Sequence, residues 1–419
     1  MKADSKNVLS TNQRLRILVL SPIEPFPPRG GWQTVIYNDV KFLAARGHKI
    51  TVLAITINPK ADASDLSGIA QAEYFYNPKK PKYVQVLRNI GKSLPYTIVR
   101  NYNEQLLVKA KELIRNEEID VLLVEDVVMG LYAKLLKDDY NIAAYLRGHN
   151  ISTVVCRRYY ESQTNPGLRY LGWRQYKKWL RYETNVLEVF DGVAQISPID
   201  AKQAEKLNVN VKNQVLFSGV DLDYFSPHSI EEREANTIMH VGSLDATTKL
   251  PAMMWFYRNV FPRIRERFPA VRLELVGAIP KCVLHQEEHS EVIVHGRVPD
   301  VRPYLAKGTI FIAPQFVGSG IRIKILNAMA MGNAVVATSV ASEGLPVKHG
   351  HNIFVADNEE QFADAACLLL GDAKLRQQTG QEARRLIEKR FGWPRIAEEL
   401  EQQLKTAVQC HSRGSQTAR

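Results

Sequence analysis

Apolar residues gather in short, nearly continuous runs separated by stretches with helical spacing. Residues 15–20 (LRILVL) form such a run, as expected of a central parallel strand covered on both faces. A loop rich in Pro and Gly follows to Gly31. Residues 34–45 then place Val35, Ile36, Val40, Phe42 and Leu43 at helical spacing before Gly47. Residues 50–55 read as a second strand, and further strands are expected at 121–124, 143–146 and 192–196. After a polar stretch at 226–236 the alternation restarts, with strands at 238–241, 273–276, 292–294, 310–313 and 334–337 and helices at 252–268 and 323–331. The pattern predicts an α/β protein of two doubly wound, Rossmann-like parallel-sheet domains, with any ligand in a cleft facing the carboxyl ends of both sheets. The expected division is 1–225, 226–390, a last helix over 391–410 and a disordered tail at 411–419.

A chain of 419 residues suits two or three such domains. With 45% hydrophobic and 24% charged residues, fibrous and broadly disordered classes are excluded. No apolar stretch approaches the 18 or so residues of a membrane span, and the start MKADSKNVLS is polar, so a cytoplasmic protein is expected. Cys156, Cys282, Cys367 and Cys410 lie far apart without metal-ligand spacing and read as reduced thiols. The net charge of +11 is uneven, because residues 1–225 hold 31 Lys and Arg against 23 Asp and Glu. That field suits nucleic acid, an anionic membrane face or an acidic substrate alike.

Two segments carry candidate chemistry. The loop SPIEPFPPRGGWQT is long for a strand-to-helix connection, and Gly30 and Gly31 directly before a helix let backbone N–H groups approach an anion. The dinucleotide fingerprint GxGxxG is absent and no acid ends the second strand, so a nicotinamide cofactor loses its usual support. The second segment, 313–345, turns through Gly318-Ser319-Gly320 and opens a helix with Ile321, Arg322 and Lys324. The helix dipole disfavours cations there, so Arg322 and Lys324 make sense around a bound anion such as a diphosphate. His149 follows the strand at 143–146 and therefore stands at a carboxyl end, placed to hydrogen-bond a ligand or shuttle a proton.

Taken in order, GGW after the first strand, LRGHN at 146–150, QISPID, GVDLDYF, VGSLD at 241–245 and the GSGIR-x-K segment with AMAMG resemble the family 4 glycosyltransferases. The likeness is nearest to exopolysaccharide-type sugar transferases and runs from about Arg14 to about Val408. It implies a GT-B fold with an N-terminal acceptor domain, a C-terminal nucleotide-sugar domain and a last helix crossing back onto the first. It also implies transfer with retention of anomeric configuration and no bound metal or other cofactor. Carried over by position, His149, Lys324 and Arg322 are the catalytic candidates. Gly30, Gly31, Gly242, Ser243, Gly318, Ser319, Gly320, Ile321, Asn327, Glu343, Gly344 and Leu345 are the donor-binding ones. Asn327 departs from the family pattern, which has a Glu there for the ribose hydroxyls, and Ser218 stands where Asn is usual. Asp221-Leu222-Asp223 matches the DxD spacing of metal-dependent transferases but lies in the domain-junction motif and reads as a solvated turn.

Between Arg147 and Tyr182, eight Arg and Lys residues interleave with seven Tyr and Trp against Glu161 alone. This suits an anionic membrane face, an anionic lipid-linked glycan or single-stranded nucleic acid, and equally an amphipathic helix whose aromatics are core. The resulting expectation is a cytoplasmic glycosyltransferase, peripheral to the membrane, moving a sugar from a nucleoside diphosphate to a polysaccharide or lipid-linked glycan, with no nucleic acid partner. The alternative is a catalytically weakened nucleotide-sugar-binding subunit, motivated by Asn327.

Overall fold

In the computed structural model the chain divides into two compact units, Met1–Phe217 with Trp393–Arg419, and Ser218–Gly392. The structure describes residues 14–28, 30–78, 82–208, 210–211, 213–227, 234–244, 249–279, 291–317 and 321–417.

The first unit is built on β1 (Arg16–Ser21), β2 (Lys49–Thr56), β3 (Gln71–Tyr76), β4 (Val121–Glu125), β5 (Ala143–Gly148), β6 (Gly192–Gln195) and β7 (Asn213–Val215). They form one parallel sheet in the order β3-β2-β1-β4-β5-β6-β7. The register sets Val19 between Val52 and Leu123, and both faces of the central strands are covered, which is why their sequences are apolar without alternation. The edge strands β3 and β7 escape the sequence pattern. QAEYFY is buried only in part along its length, and NQV is too short to show a period. Helix Gly31–Ala45 starts after an extended Gly30, and Gly47 at φ +90° turns the chain into β2. The last helix, Trp393–Thr417, packs in this unit, with Trp393 stacked on Phe42 at 6.2 Å and Glu401 paired with Arg46. It continues past the expected end at 410, held by His411 Nδ1 at 3.1 Å from Asp191, so residues 411–417 are helical and not a disordered tail.

The second unit holds β8 (Thr237–Val241), β9 (Arg272–Val276), β10 (Val292–Gly296), β11 (Ile310–Ala313), β12 (Val335–Ala337) and β13 (Phe354–Val355). This parallel sheet runs β10-β9-β8-β11-β12-β13. Phe256, Phe261 and Phe362 fill the core under one face. Residues 218–225, expected in the first domain, are bound into this unit. The Val220 N–H bonds the Phe391 carbonyl, and Arg384 donates to the carbonyls of Phe225 and Ala330 at 2.6 and 2.7 Å. In each sheet the strand order reverses at one place, between β1 and β4 and between β8 and β11. The carboxyl ends beside such a reversal are where open α/β sheets take ligands.

Candidate functional site

In the first unit, β4 and β5 lie side by side with Glu125 opposite Arg147, so Glu125 ends its strand next to His149 just past the neighbouring one. His149 Nε2 and Glu125 Oε2 are 2.8 Å apart, and both side chains are buried. Burial pushes the Glu125 carboxyl up to about 8 and His149 down to about 4. In that order the proton stays on the carboxyl, which donates to Nε2 and leaves the imidazole neutral with its hydrogen on Nδ1. A neutral imidazole so far from its ordinary value is suited to hydrogen bonding and not to taking a proton at neutral pH. The main chain around the pair is fixed by Asp126, a non-glycine residue at φ +77° whose carboxyl accepts from the backbone N–H groups of Val128 and His149.

Beneath this pair, the buried Arg147 guanidinium reaches Asp39 at 3.2 Å and the carbonyls of Leu216 and Phe217. Burial pushes Asp39 up to about 7 against the pull of that cation. Glu183, also raised to about 7 by burial, caps helix Ser152–Glu161 by accepting from Ser152 and Thr153 at 3.1 and 2.8 Å. Trp32, after Gly30 and Gly31, places its ring 5.9 Å from the His149 ring, so the glycine loop and His149 share one end of the sheet. Gly30 is extended at φ −141°, and an added Cβ would meet only Gln33 Oε1 at 3.5 Å. Nothing in the protein itself demands a glycine there. A cavity of about 170 Å³ opens nearby between Trp32, Ile55, Ile57, Asn77 and Arg100. Glu24 lines it with Oε2 buried and without a hydrogen-bond partner among the described residues.

In the second unit, Gly242 directly after β8 has φ +145°, and Gly277 after β9 has φ +139°. A Cβ on Gly277 would lie 2.3 Å from the Gly242 carbonyl oxygen, so only glycine admits this approach. Ser243 Oγ reaches the Ala278 carbonyl at 3.4 Å in the same crossing. Arg322 occupies the extended cap position of helix Ile323–Ala330, and Ile321 before it is buried. Lys324, in the first turn, runs its stem over Gly242 and brings Nζ to 3.5 Å from His240 Nε2. Burial, with Lys249 and Arg322 beside it, holds the Lys324 amine down to about 7. Asn327 lies one turn further on the same half-exposed side, while Ile325, Leu326 and Ala328 face the core. Glu343, Gly344 and Leu345 follow helix Ser339–Ser342 as a half-buried turn with Gly344 at φ +85°.

The structure thus gathers Gly30, Gly31 and His149 in one unit, and Gly242, Ser243, Arg322 and Lys324 in the other. Gly318, Ser319 and Gly320 lie outside the described residues, as does Cys282, while Cys156, Cys367 and Cys410 form no disulfide among the described residues. Asp221 Oδ1 accepts from the Tyr224 N–H at 2.9 Å and so closes a turn. Among the described residues no three His, Cys, Asp or Glu side chains gather as metal ligands would. Sequence reasoning missed Asp39, Glu125, Asp126, His240 and Lys249. The acids ending the run VLLVED were visible, and their place at a carboxyl end was the available signal.

Residues 235–372 match the family model described as Glycosyl transferases group 1. The chain is similar to the sucrose-phosphate synthase of Thermosynechococcus elongatus, with TM-score 0.72 and 16% identity over 92% of this chain and 98% of that one. It is also similar to Anabaena HepE in complex with UDP, with TM-score 0.66 and 16% identity over 94% and 100% of the two chains. Among curated sequences, a Klebsiella pneumoniae chain described as an uncharacterized 44.6 kDa protein in cps region is 20% identical over 360 residues, 83% of this chain and 89% of that one. Two parallel-sheet units with these likenesses define the GT-B fold. With a group 1 glycosyltransferase domain in its second unit, the chain is a transferase that uses a nucleotide sugar.

Proposed function

We propose that this enzyme moves a sugar from a nucleoside diphosphate to a polysaccharide or lipid-linked glycan, with retention of anomeric configuration and without a bound metal. The observation that carries the reading is the Lys324 site, where a part-buried amine at a helix start lies beside Lys249, Arg322 and neutral His240 and has no acidic neighbour among the described residues. Such a cluster is complementary to the charge that grows on a departing diphosphate while the sugar becomes oxocarbenium-like. The anomeric carbon-to-phosphate oxygen bond breaks, the acceptor oxygen bonds that carbon from the same face, and the acceptor's proton passes to the phosphate oxygen. In this reading Lys324 and Arg322 serve the diphosphate, His149 donates a hydrogen bond to the donor sugar, and Gly30 and Gly31 leave room for the ligand's approach. The 170 Å³ cavity with Glu24 and Trp32 is assigned to the acceptor. The UDP held by HepE and the cps setting of the Klebsiella relative support the donor and acceptor classes.

Peripheral contact with an anionic membrane is part of the proposal. Helix Pro166–Val186 buries Trp179 but exposes Leu168, Tyr170 and Trp173 beside exposed Arg169, Lys177 and Arg181. No helix among the described residues is long and apolar enough to cross a membrane.

The test is transfer from a panel of nucleoside diphosphate sugars in EDTA, with the product anomer read by NMR. Transfer with retention supports the proposal, whereas complete loss in EDTA or an inverted product overturns its mechanism. A nucleotide-sugar-binding subunit, favoured by the uncharged Asn327, would bind donor yet show neither transfer nor slow donor hydrolysis.

A further inference from the structure

The residue beneath Lys324 is a histidine and not a carboxylate, and its hydrogen bonds explain why. His240 lies in β8 beside the point where the second sheet's strand order reverses, 1% exposed and stacked on Phe311 at 6.2 Å. Its Nδ1 is 3.0 Å from the Ile312 carbonyl oxygen of β11. A carbonyl only accepts, so Nδ1 carries the ring's hydrogen. Burial and the neighbouring Lys324 and Lys249 hold His240 well below its ordinary value, so the ring is neutral. Nε2 is then a lone pair, and it points at Lys324 Nζ 3.5 Å away.

We infer that His240 is a positioning residue for the donor diphosphate: fixed by the Ile312 carbonyl, it offers Lys324 one neutral acceptor that orients the amine without cancelling its charge. A carboxylate in its place would pair with Lys324 and compete with the phosphate for it. A residue without an acceptor would leave the amine to wander from the helix start, away from the geometry the leaving group needs. Among the described residues named beside the contact, Lys249 and Arg322 are cations that cannot accept, and the Ile312 carbonyl is already bonded by Nδ1 in the wild type. This inference rests on the reading of Lys324 as the diphosphate site.

The experiment compares wild type, H240F and H240Q. Phe keeps a ring over Phe311 and removes both polar atoms, whereas Gln supplies an N–H for Ile312 and an oxygen for Lys324. Calorimetric binding is measured for UDP, GDP, ADP and dTDP and for each parent nucleoside. The expected result is that H240F weakens the diphosphate about tenfold and raises the donor KM more than it lowers kcat. Nucleoside binding stays within about twofold, and H240Q stays within about threefold of wild type throughout. A cooperatively melting H240F that binds the diphosphate as wild type does overturns the inference. So does an equal loss for nucleoside and diphosphate, which marks a merely structural role. If H240F does not fold, H240Q decides alone, and a loss of more than about tenfold on the diphosphate overturns it. Wild type that binds no nucleoside diphosphate removes the transferase reading itself and the inference with it.

Discussion

At the carboxyl end of the first sheet, Asp39, Glu125, Asp126 and Glu183 lie buried around Arg147 and His149; at the same end of the second sheet, Lys249, Arg322 and a neutral His240 lie beside Lys324. The scaffold is the same, two parallel sheets each reversing strand order once, yet the first cluster is rich in acids and the second in bases. In the first unit the groups of this cluster find partners within it: Asp39 in Arg147, Glu125 in His149, Glu183 in two backbone N–H groups. In the second, the amine of Lys324 faces the lone pair of His240 and, among the described residues, no acid. Buried groups that are satisfied internally build and orient a site, whereas a lysine amine with no acidic neighbour among the described residues suits an anionic ligand.

The sharpest way to break this contrast is to remove an internal answer. D39A leaves the fully enclosed Arg147 guanidinium without its carboxylate and should cost about 3–5 kcal/mol of stability in denaturant titrations. A loss under about 1 kcal/mol would show that the two carbonyls suffice. Next in size is E125L, which deprives His149 Nε2 of its partner. A loss of about 1–3 kcal/mol is expected, together with a drop of about tenfold in kcat. Unchanged kcat in a folded variant would detach the pair from catalysis.

These acids were hard to read in the sequence for a physical reason. Glu125 and His149 meet only because β4 and β5 are neighbours, and Asp39 finds Arg147 across 108 positions, so neither pairing has a local spacing. His240 hides inside TIMHV, an ordinary buried strand. What was legible was local: the central strands, the glycine loop before Trp32, and cations at a helix start where the dipole disfavours them. The edge strands β3 and β7 and the helical continuation through 411–417 depended on packing partners far along the chain.

The second unit makes the opposite prediction, a dependence on pH through a ligand. The Lys324 amine, held at about 7 without ligand, is charged at pH 6 and largely neutral at pH 8. A bound diphosphate favours the charged form, so binding above pH 7 must take up a proton and affinity falls as pH rises. The expected slope approaches tenfold, about 1.4 kcal/mol, per unit between pH 7 and 9. Terminal phosphates, with their second ionisation near pH 6, are by then ionised and add no opposing trend. Flat affinity over that range in calorimetry would place the amine elsewhere than on the phosphate. The smallest effect concerns the ribose: N327E restores a two-oxygen acceptor and should tighten nucleoside diphosphate binding by about 1 kcal/mol. Unchanged affinity would show that residue 327 does not touch the nucleotide.

The central claim is that Lys324 anchors a nucleoside diphosphate. It is tested most directly by calorimetric titration of wild type and K324A with UDP, GDP, ADP and dTDP in EDTA. The account predicts selective binding of one diphosphate by wild type and at least tenfold weaker binding by a folded K324A. Equal affinities for the two proteins, or binding that disappears in EDTA, would contradict it.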